Sequence, residues 1–381
     1  MNILYLTEDY LTSKVHNNLL CKLLEKNKDL KIYVFSPIRQ ENVQELQNSF
    51  IKHERLFELT PKIDIPIWRY KFDFWAKQRC KLRLLERNVP IDEIDVIHAA
   101  TLYTEGCTAL NIKKKFNIPY IVTVRGADVM FYAKKMPHLW SIGISVIKGA
   151  KKIACVTPSI KEKIIGKWQH LFVKEILTRS DVINNGIDDI WLDNLFVTPK
   201  TLSAPPRILY VGRFDSNKNV YRLIKAASLL HKDTDVCLTI VGGVGGNDEE
   251  HEIVMKEVDA HKDYIEYLGA IYDKTKLMEV VRRCDLFAMV SHSETFGLVY
   301  VECLTQGLPL LYSKGTGFDG IFPDGYVGYS VNSYSIEDIA HGLRKILNNY
   351  SELRQNICKI DFERFSWTNT SNKYLDYYDS I

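Results

Sequence analysis

Apolar residues fall along this chain in short continuous runs rather than in alternation. "NILYLT", "KIYVFSP", "DVIHAA", "YIVTVRG", "KIACVTP" and "SDVINNG" occupy the first half, and "RILYVG", "VCLTIVGG", "YIEYLGA", "LFAMVS" and "LPLLYS" the second. Most are rich in Val, Ile and Tyr and are followed by Gly, Asp, Ser or Thr. Unbroken apolarity over so few residues predicts strands covered on both faces, which is the habit of parallel sheets. Between the runs lie segments with helical spacing, such as "NVYRLIKAASLLHK" and "KTKLMEVVRRC". Repeated strand–helix–strand units predict an α/β protein with right-handed crossovers.

The pattern pauses at "NLFVTPKTLSAPP", which carries three prolines and few periodic apolar positions, and restarts at Arg207. That stretch reads as a linker. Two doubly wound, Rossmann-like domains are expected, at 1–195 and 205–365. A chain of 381 residues suits two cores better than one.

Composition adds limits. Hydrophobic residues make up 46% and charged residues 25%, as in ordinary globular proteins. No run reaches the roughly 18 apolar residues of a membrane span. "MNILYLTEDY" enters a strand at once and lacks the basic start of a signal peptide, so a cytoplasmic location is expected. Eight cysteines are scattered without a CxxC or a His/Cys cluster, so neither zinc nor a disulfide is expected.

Charge is uneven. Residues 1–190 hold 30 Lys and Arg against 21 Asp and Glu, whereas residues 191–381 hold 20 against 26. A basic first half suits an anionic partner such as a membrane surface. Within it, "DIPIWRYKFDFWAKQRCKLRLLER" interleaves Trp68, Tyr70, Phe72, Phe74 and Trp75 with Arg69, Lys71, Lys77, Arg79, Lys81 and Arg83. The mixture fits a bilayer interface, peripheral at the inner face of the membrane, and equally a core-packing helix with a basic outer face. No nucleic-acid fold accompanies it, so nucleic acid is not expected as a partner.

Candidate chemistry lies mostly in the second half. "YVGRFDSNKN" places Arg213 and Lys218 on a loop between a strand end and a helix start. Open α/β sheets bind ligands at strand carboxyl ends, and an Arg fork with a Lys point charge suits a diphosphate. A solvated turn with surface charges explains the same residues. "VGGVGGND" follows a later strand, but no GxGxxG follows the first, which argues against a nicotinamide or flavin enzyme. "SETFGLVYVE" opens an apolar helix expected from Thr295, "TFGLVYVECL", and sets Glu294 and Glu302 eight residues apart at its mouth and inside it. Were both helical they would stand about 12 Å apart along the axis. That span matches the distance from a nucleotide's ribose to the sugar beyond its diphosphate. Amides of Phe296, Gly297 and Leu298 would then face the diphosphate. A dipole-favoured Glu294 beside a structural Glu302 is the plainer alternative. The "DTD" at Asp233–Asp235 precedes its strand, so it reads as a surface turn rather than a metal site.

The two glutamates, some 80 residues beyond "GRFDSNK", resemble the Glu-x7-Glu signature of family 4 retaining glycosyltransferases, which have the GT-B fold. "VINNGI", "YLGAIYDKTKLMEVVRRCDLF", "AMVSHSETFGLVYVECLTQGLPLL" and "FERFSWTNTSNKY" extend the resemblance over nearly the whole chain. It implies an interdomain cleft and a closing helix near 366–381 that packs back on the first domain. It implies that Arg213 and Lys218 hold the donor diphosphate and that Glu302 takes the ribose hydroxyls. It places Glu294 near the transferred sugar and the backbone of Ala270 and Ile271 at the base. The first half departs from the family pattern. Ser13 to His16 stand where many members have a glycine-rich loop, and Arg125-Gly126 followed by Asp128 stands in place of His-Gly. Arg125 is expected at the donor or in a salt bridge to Asp128, with Ser13, His16 and Asp128 on the acceptor side. "KGTGFDGIF" either closes over the donor or is an ordinary flexible loop.

The expectation is thus a metal-independent retaining hexosyltransferase without a cofactor. It would use a UDP- or GDP-linked sugar and a glycan or lipid-linked acceptor, with a role in bacterial surface polysaccharide assembly. A nucleotide-sugar epimerase of the same fold and a non-catalytic nucleotide-sugar-binding subunit are the alternatives.

Overall fold

A computed structural model describes residues 1–38, 51–164, 166, 178–198, 200–244 and 248–381. Of the glycine-rich stretch after "VCLTIV", Gly245 and Gly246 therefore lie outside the described residues. The chain divides into two compact units. One comprises Met1–Val156, Ile160–Gly186 and Phe365–Ile381, the other Thr157–Ser159 and Ile187–Arg364.

In the first unit the described strands are β1 (Asn2–Leu6), β2 (Lys31–Phe35), β3 (Leu56–Leu59), β4 (Val96–Ala99), β5 (Tyr120–Val124), β6 (Lys152–Cys155) and β7 (Ser180–Val182). They form one parallel sheet in the order β3-β2-β1-β4-β5-β6-β7. Placing β1 beside both β2 and β4 reverses the winding there and leaves a strand-end crevice. Ile3, Tyr5, Ile32 and Val34 pack with Leu20, Leu23 and Leu24 of helix Lys14–Lys26. The last helix, Trp367–Asp379, joins this core through Trp367, Tyr374, Tyr377 and Tyr378. Ser366 caps it by accepting from Asn369 N at 3.0 Å. Its phenols are polar-satisfied inside the unit. Tyr378 Oη lies 2.7 Å from His98 Nδ1, Tyr374 Oη 3.0 Å from Thr123 Oγ1, and Tyr377 Oη donates to Asp181 Oδ2 at 2.8 Å.

In the second unit the described strands are β8 (Arg207–Phe214), β9 (Cys237–Val244), β10 (Ile265–Tyr267), β11 (Leu286–Met289), β12 (Leu310–Ser313) and β13 (Gly328–Val331). They form a second parallel sheet, β10-β9-β8-β11-β12-β13. The winding reverses at β8, between β9 and β11. Helix Val220–His231 buries Val220, Leu223, Ile224, Ala227 and Leu230, the face its sequence period marked out.

Two strands were not expected, β3 and β13. Each is an outer strand of its sheet. β3 is partly exposed throughout and β13 is buried only at its ends, so neither "LFEL" nor "GYSV" carries a continuous apolar run. The boundary also differs. The main segment of the second unit begins at Ile187 rather than at 205. Residues read as linker belong to it by hydrogen bonding. Phe196 N donates to Thr305 O at 2.8 Å and Arg282 Nη2 to Asn194 O at 2.9 Å. Among the described residues, no helix is long and apolar enough to cross a membrane.

Candidate active site

The site in the second unit is built at the carboxyl ends of β8, β9 and β11. Gly212 and Gly242 are paired across β8 and β9. Gly242 has φ of 149°, and a Cβ there would lie 1.8 Å from Gly212 O. Only glycine permits so close a backbone approach. Beyond it opens a cavity of about 220 Å³ lined by Gly212, Arg213, Gly242, Gly243, Ala270 and Ile271 among others. The loop bearing Ala270 and Ile271 is held there by Gly242 N donating to Gly269 O at 2.8 Å. Arg213 reaches outward, its side chain 69% exposed and Nη2 3.6 Å from Asp215 Oδ2. A guanidinium so placed is free to swing onto a ligand.

The loop after β8 is a tight polar turn. Lys218 N donates to Asp215 O and to Asp215 Oδ1, each at 3.0 Å. Asn219 follows with φ of 58°, a left-handed position that asparagine tolerates. Its Nδ2 donates to Val290 O at 3.0 Å and Ser333 O at 2.7 Å. Asn217 stitches this turn to the loop after β11: its Nδ2 donates to Ser293 O at 2.9 Å, and His292 N donates to its carbonyl at 2.8 Å. The result brings Lys218 Nζ to 2.6 Å from Glu294 Oε2, with both side chains mostly buried.

Glu294 is held from behind as well. Its N donates to Thr316 Oγ1 at 2.8 Å, and its Oε1 accepts from Thr295 N at 3.2 Å. Gly317 has φ of 52°, and a Cβ there would lie 2.7 Å from Glu294 Cβ. "KGTGFDGIF" is therefore not an ordinary flexible loop. Its Thr316 and Gly317 form the floor under Glu294, and its Phe318 is buried.

The helix expected from Thr295 begins instead at Leu298. Gly297 stands before it at φ of 79°, where a Cβ would meet Tyr300 Cδ2 at 2.4 Å. Glu294, Thr295 and the buried Phe296 thus belong to a loop, and the axial spacing of a single helix does not relate Glu294 to Glu302. Glu302 lies inside helix Leu298–Thr305, partly accessible yet largely enclosed by protein. Burial pushes its carboxyl up to about 7, against the pull of the Lys274 ammonium. Lys274 opens the preceding helix, Lys274–Arg283, behind the Asp273 cap and is ion-paired to Asp188. Lys274, Asp188, Asn217 and Thr316 were not singled out in the sequence. Only Asp273 and Lys274, an N-cap before an amphipathic run, carried a local signal.

In the first unit the expected residues have different surroundings. His16 is buried, with Nδ1 2.7 Å from Tyr5 Oη and Nε2 3.4 Å from Thr7 Oγ1. Burial, together with the Arg125 charge, holds its pKa well below the usual value, so the ring is neutral. His16 was expected on the acceptor side; its ring is instead enclosed against Tyr5 of β1 and Thr7 just beyond that strand. Asp128 is fully buried, accepting from Arg125 N at 2.9 Å and Tyr103 N at 3.2 Å. It closes the turn after β5, and burial lifts its carboxyl to about 7 despite those donors. The salt bridge weighed for Arg125 and Asp128 is thus a backbone contact. The Arg125 side chain turns the other way, Nε donating to Ala100 O at 2.9 Å. Ser13 sits at the N-cap of helix Lys14–Lys26 without a side-chain cap bond.

The strand ends of the first unit hold a group that sequence reading missed, an ionic quartet. Lys77 Nζ lies 2.7 Å from Glu8 Oε2, and Lys81 Nζ lies 3.2 Å from Glu8 Oε1 and 3.0 Å from Glu105 Oε1. Thr101 and Thr104 donate to the other Glu105 oxygen. Asp233 of "DTD" accepts from Arg344 at 2.8 Å in a turn before β9, and among the described residues no cluster of His, Cys, Asp and Glu is arranged to hold a metal.

Comparison with known proteins converges on one class. Residues 196–361 match the family described as glycosyl transferases group 1, and residues 14–190 match glycosyltransferase family 4. With both units matched and two parallel Rossmann-like sheets on view, the chain belongs to the family 4 glycosyltransferases of GT-B fold. It is 27% identical over 279 residues to an uncharacterized glycosyltransferase of Methanocaldococcus jannaschii, covering 72% of each chain. It is 30% identical over 182 residues to the D-inositol 3-phosphate glycosyltransferase of Nocardia farcinica, covering 46% of this chain and 40% of that one. Among solved structures, Anabaena HepE in complex with UDP superposes with a TM-score of 0.72 at 16% identity over both full chains. The lipopolysaccharide outer core galactosyltransferase WaaB superposes with 0.72 at 14% identity over 99% of each.

Proposed function

We propose that this glycosyltransferase moves a hexose, with retention, from a nucleoside-diphosphate sugar to a hydroxyl of a glycan or lipid-linked acceptor in surface polysaccharide assembly. The observation that carries this reading is the Lys218–Glu294 pair beside the glycine-lined cavity of β8 and β9. It sets a cation for a diphosphate next to a carboxylate for sugar hydroxyls, on a rigid, stitched pair of loops. The cavity, at about 220 Å³, suits a nucleobase with part of its ribose. Arg213 and Lys218 stabilise the departing diphosphate, a charge that grows in the transition state. Amides of Phe296, Gly297 and Leu298 add donors, and Glu302 accepts from the ribose hydroxyls. Arg125 in the first unit is assigned to the donor phosphate or sugar, and Ser13 to the acceptor side. UDP in the Anabaena neighbour supports a uridine donor. No metal or cofactor takes part, because cations and amides supply the countercharge.

A thermal-shift panel of UDP- and GDP-sugars tests the donor. A bound ligand stabilises in proportion to log concentration over affinity. Stabilisation by one nucleotide-sugar is expected, with nucleotide release that requires an acceptor and continues in EDTA. No stabilisation by any of them would remove the reading. Conversion of the sugar without an acceptor would establish the epimerase, binding without any turnover the silent subunit, and loss in EDTA a metal-dependent mechanism.

A further inference from the structure

In the first unit, helix Ile67–Phe72 and the start of helix Phe74–Asn88 turn Trp68, Phe72 and Trp75 outward and Lys77 and Lys81 inward. Trp68, Phe72 and Trp75 are 66%, 83% and 49% exposed. Lys77 and Lys81 are buried in the ionic quartet with Glu8 and Glu105. Tyr70 also faces inward and donates to Glu8 Oε1 at 3.2 Å. Helix Phe74–Asn88 thus packs Ala76, Cys80, Leu84 and Leu85 inward and keeps Arg79, Arg83 and Arg87 exposed, as a core-packing helix with a basic outer face does, but exposed aromatic rings stand beside those cations.

The exposed rings are not on a loose tail. Asp73 caps the second helix, accepting from Ala76 N at 2.9 Å, and the quartet anchors both helices from below. Water disfavours a rigid cluster of exposed rings, and such a cluster marks an interaction surface.

A second element contributes. Phe131 is 43% exposed, and the Lys135 ammonium stands 5.7 Å from its ring. The neighbouring Tyr132 stacks on Tyr103 at 5.1 Å, and its phenol is raised by burial and then by Glu105 and Glu8. Tyr132 and Tyr70 thus flank the same quartet. Lys71, Arg79, Lys134 and Lys135 are exposed beside these rings, and among the described residues none forms an ion pair. The nearby acid, Asp73, is paired to Arg69 at 3.6 Å.

We propose that this face docks on an anionic phospholipid bilayer, with Trp68, Phe72, Trp75 and Phe131 at headgroup depth and the four cations against lipid phosphates. Aromatic rings favour that depth, and stems of Lys and Arg lie along it with their charges in the headgroups. A second copy fits less well, because a two-fold contact would set the four unpaired cations against themselves. The inference stands independently of the donor reading.

Co-sedimentation with vesicles of equimolar phosphatidylcholine and phosphatidylglycerol tests it, with pure phosphatidylcholine as control. One variant carries Trp68→Ser, Phe72→Ser and Trp75→Ser; another carries Lys71→Gln, Arg79→Gln, Lys134→Gln and Lys135→Gln. All seven side chains are exposed, so both variants are expected to fold, checked by circular dichroism; the charge variant serves alone if the aromatic one does not. Wild type is expected to bind the anionic vesicles at low salt with a blue shift of tryptophan emission. Its binding should weaken steeply toward physiological salt, where the Debye length is about 8 Å. Each variant should lose roughly tenfold or more in partitioning. Stabilisation by UDP should be the same in all three proteins, which separates this face from the donor site. The proposal is overturned by absent binding at low salt, by equal binding of all three proteins, or by equal binding to neutral vesicles. It is also overturned by a vesicle-free dimer in sedimentation velocity that the aromatic variant abolishes.

Discussion

The Lys218 ammonium lies 2.6 Å from the Glu294 carboxylate, although the two residues are 76 positions apart on different loops of one sheet. The pair holds both groups in place. On the proposed reading, a diphosphate would draw the ammonium to itself and free the carboxylate for sugar hydroxyls, exchanging the contact rather than losing it.

Lys218→Ala and Arg213→Ala are each expected to lower turnover about a hundredfold, or ~3 kcal/mol, with the fold intact. Glu294→Ala is expected to cost a similar amount. Because Lys218 and Glu294 are in contact, the double variant should lose less than the product of the singles. Steady-state kinetics on the four-member cycle, with Arg213→Ala alongside, checks this. Near wild-type rates in both cation variants would remove the diphosphate assignment.

Gly317→Ala tests the floor beneath the same carboxylate. The new methyl would sit 2.7 Å from Glu294 Cβ at a φ of 52° that disfavours any side chain. The backbone strain is on the order of 1 kcal/mol, and Glu294 must move to relieve the contact. A loss of roughly tenfold in kcat with little change in nucleotide affinity is expected, since Gly317 lies under the residue proposed to face the sugar. An unchanged kcat would mean that Glu294 does not need its observed position.

The eleven strands anticipated in the sequence include every inner strand of the two sheets and the outer strands β7 and β10. β3 and β13 escaped because their own residues are only partly covered, so "LFEL" and "GYSV" carry no continuous apolar run. Arg213 and Lys218 were legible because loop, cations and helix start are contiguous. Their partnership with Glu294 was not, since it depends on Asn217 joining two distant loops. The helix starts at Leu298, three residues later than the apolar pattern suggests, because the left-handed Gly297 before it leaves no trace in hydrophobicity. His16 looked like a candidate acceptor contact for want of any sign that Tyr5 and Thr7 would enclose it. Lys77 and Lys81 looked like surface charge, because Glu8 and Glu105 approach them only through the fold.

Asp128→Ala distinguishes a structural carboxylate from an acceptor contact. The change would leave the amides of Arg125 and Tyr103 without their acceptor in a fully buried turn. A stability loss of about 2–4 kcal/mol follows from unpaired buried donors. Nucleotide affinity of the folded fraction is expected to hold. Denaturant unfolding and a nucleotide titration together check it. Full stability with lost activity would instead restore the acceptor-side role.

Glu302 has a carboxyl lifted to about 7, so its protonation changes near neutrality. For an acid raised above its unfolded value of 4.5, the contribution to stability is fully present below the unfolded pKa. It is lost as pH rises through about 7. Ionised Glu302 therefore costs the unliganded fold ~1–3 kcal/mol at higher pH, allowing for its partial access to water. Glu302→Gln should raise stability relative to wild type at about pH 8 and make little difference near pH 4.5. Binding runs the other way. Ribose hydroxyls donate best to the ionised form, so affinity for the nucleotide-sugar should fall in wild type as pH drops below about 7. The Gln variant should bind roughly tenfold more weakly at pH 8 with a flatter pH profile. A nucleotide-sugar is the right probe, because its diphosphate is esterified at both ends and does not titrate in this range. Thermal unfolding and calorimetric titration of both proteins across pH give the two curves. A wild-type affinity independent of pH, or a Gln variant that binds as well as wild type, would take Glu302 out of the ribose site and leave it a structural glutamate held by Lys274.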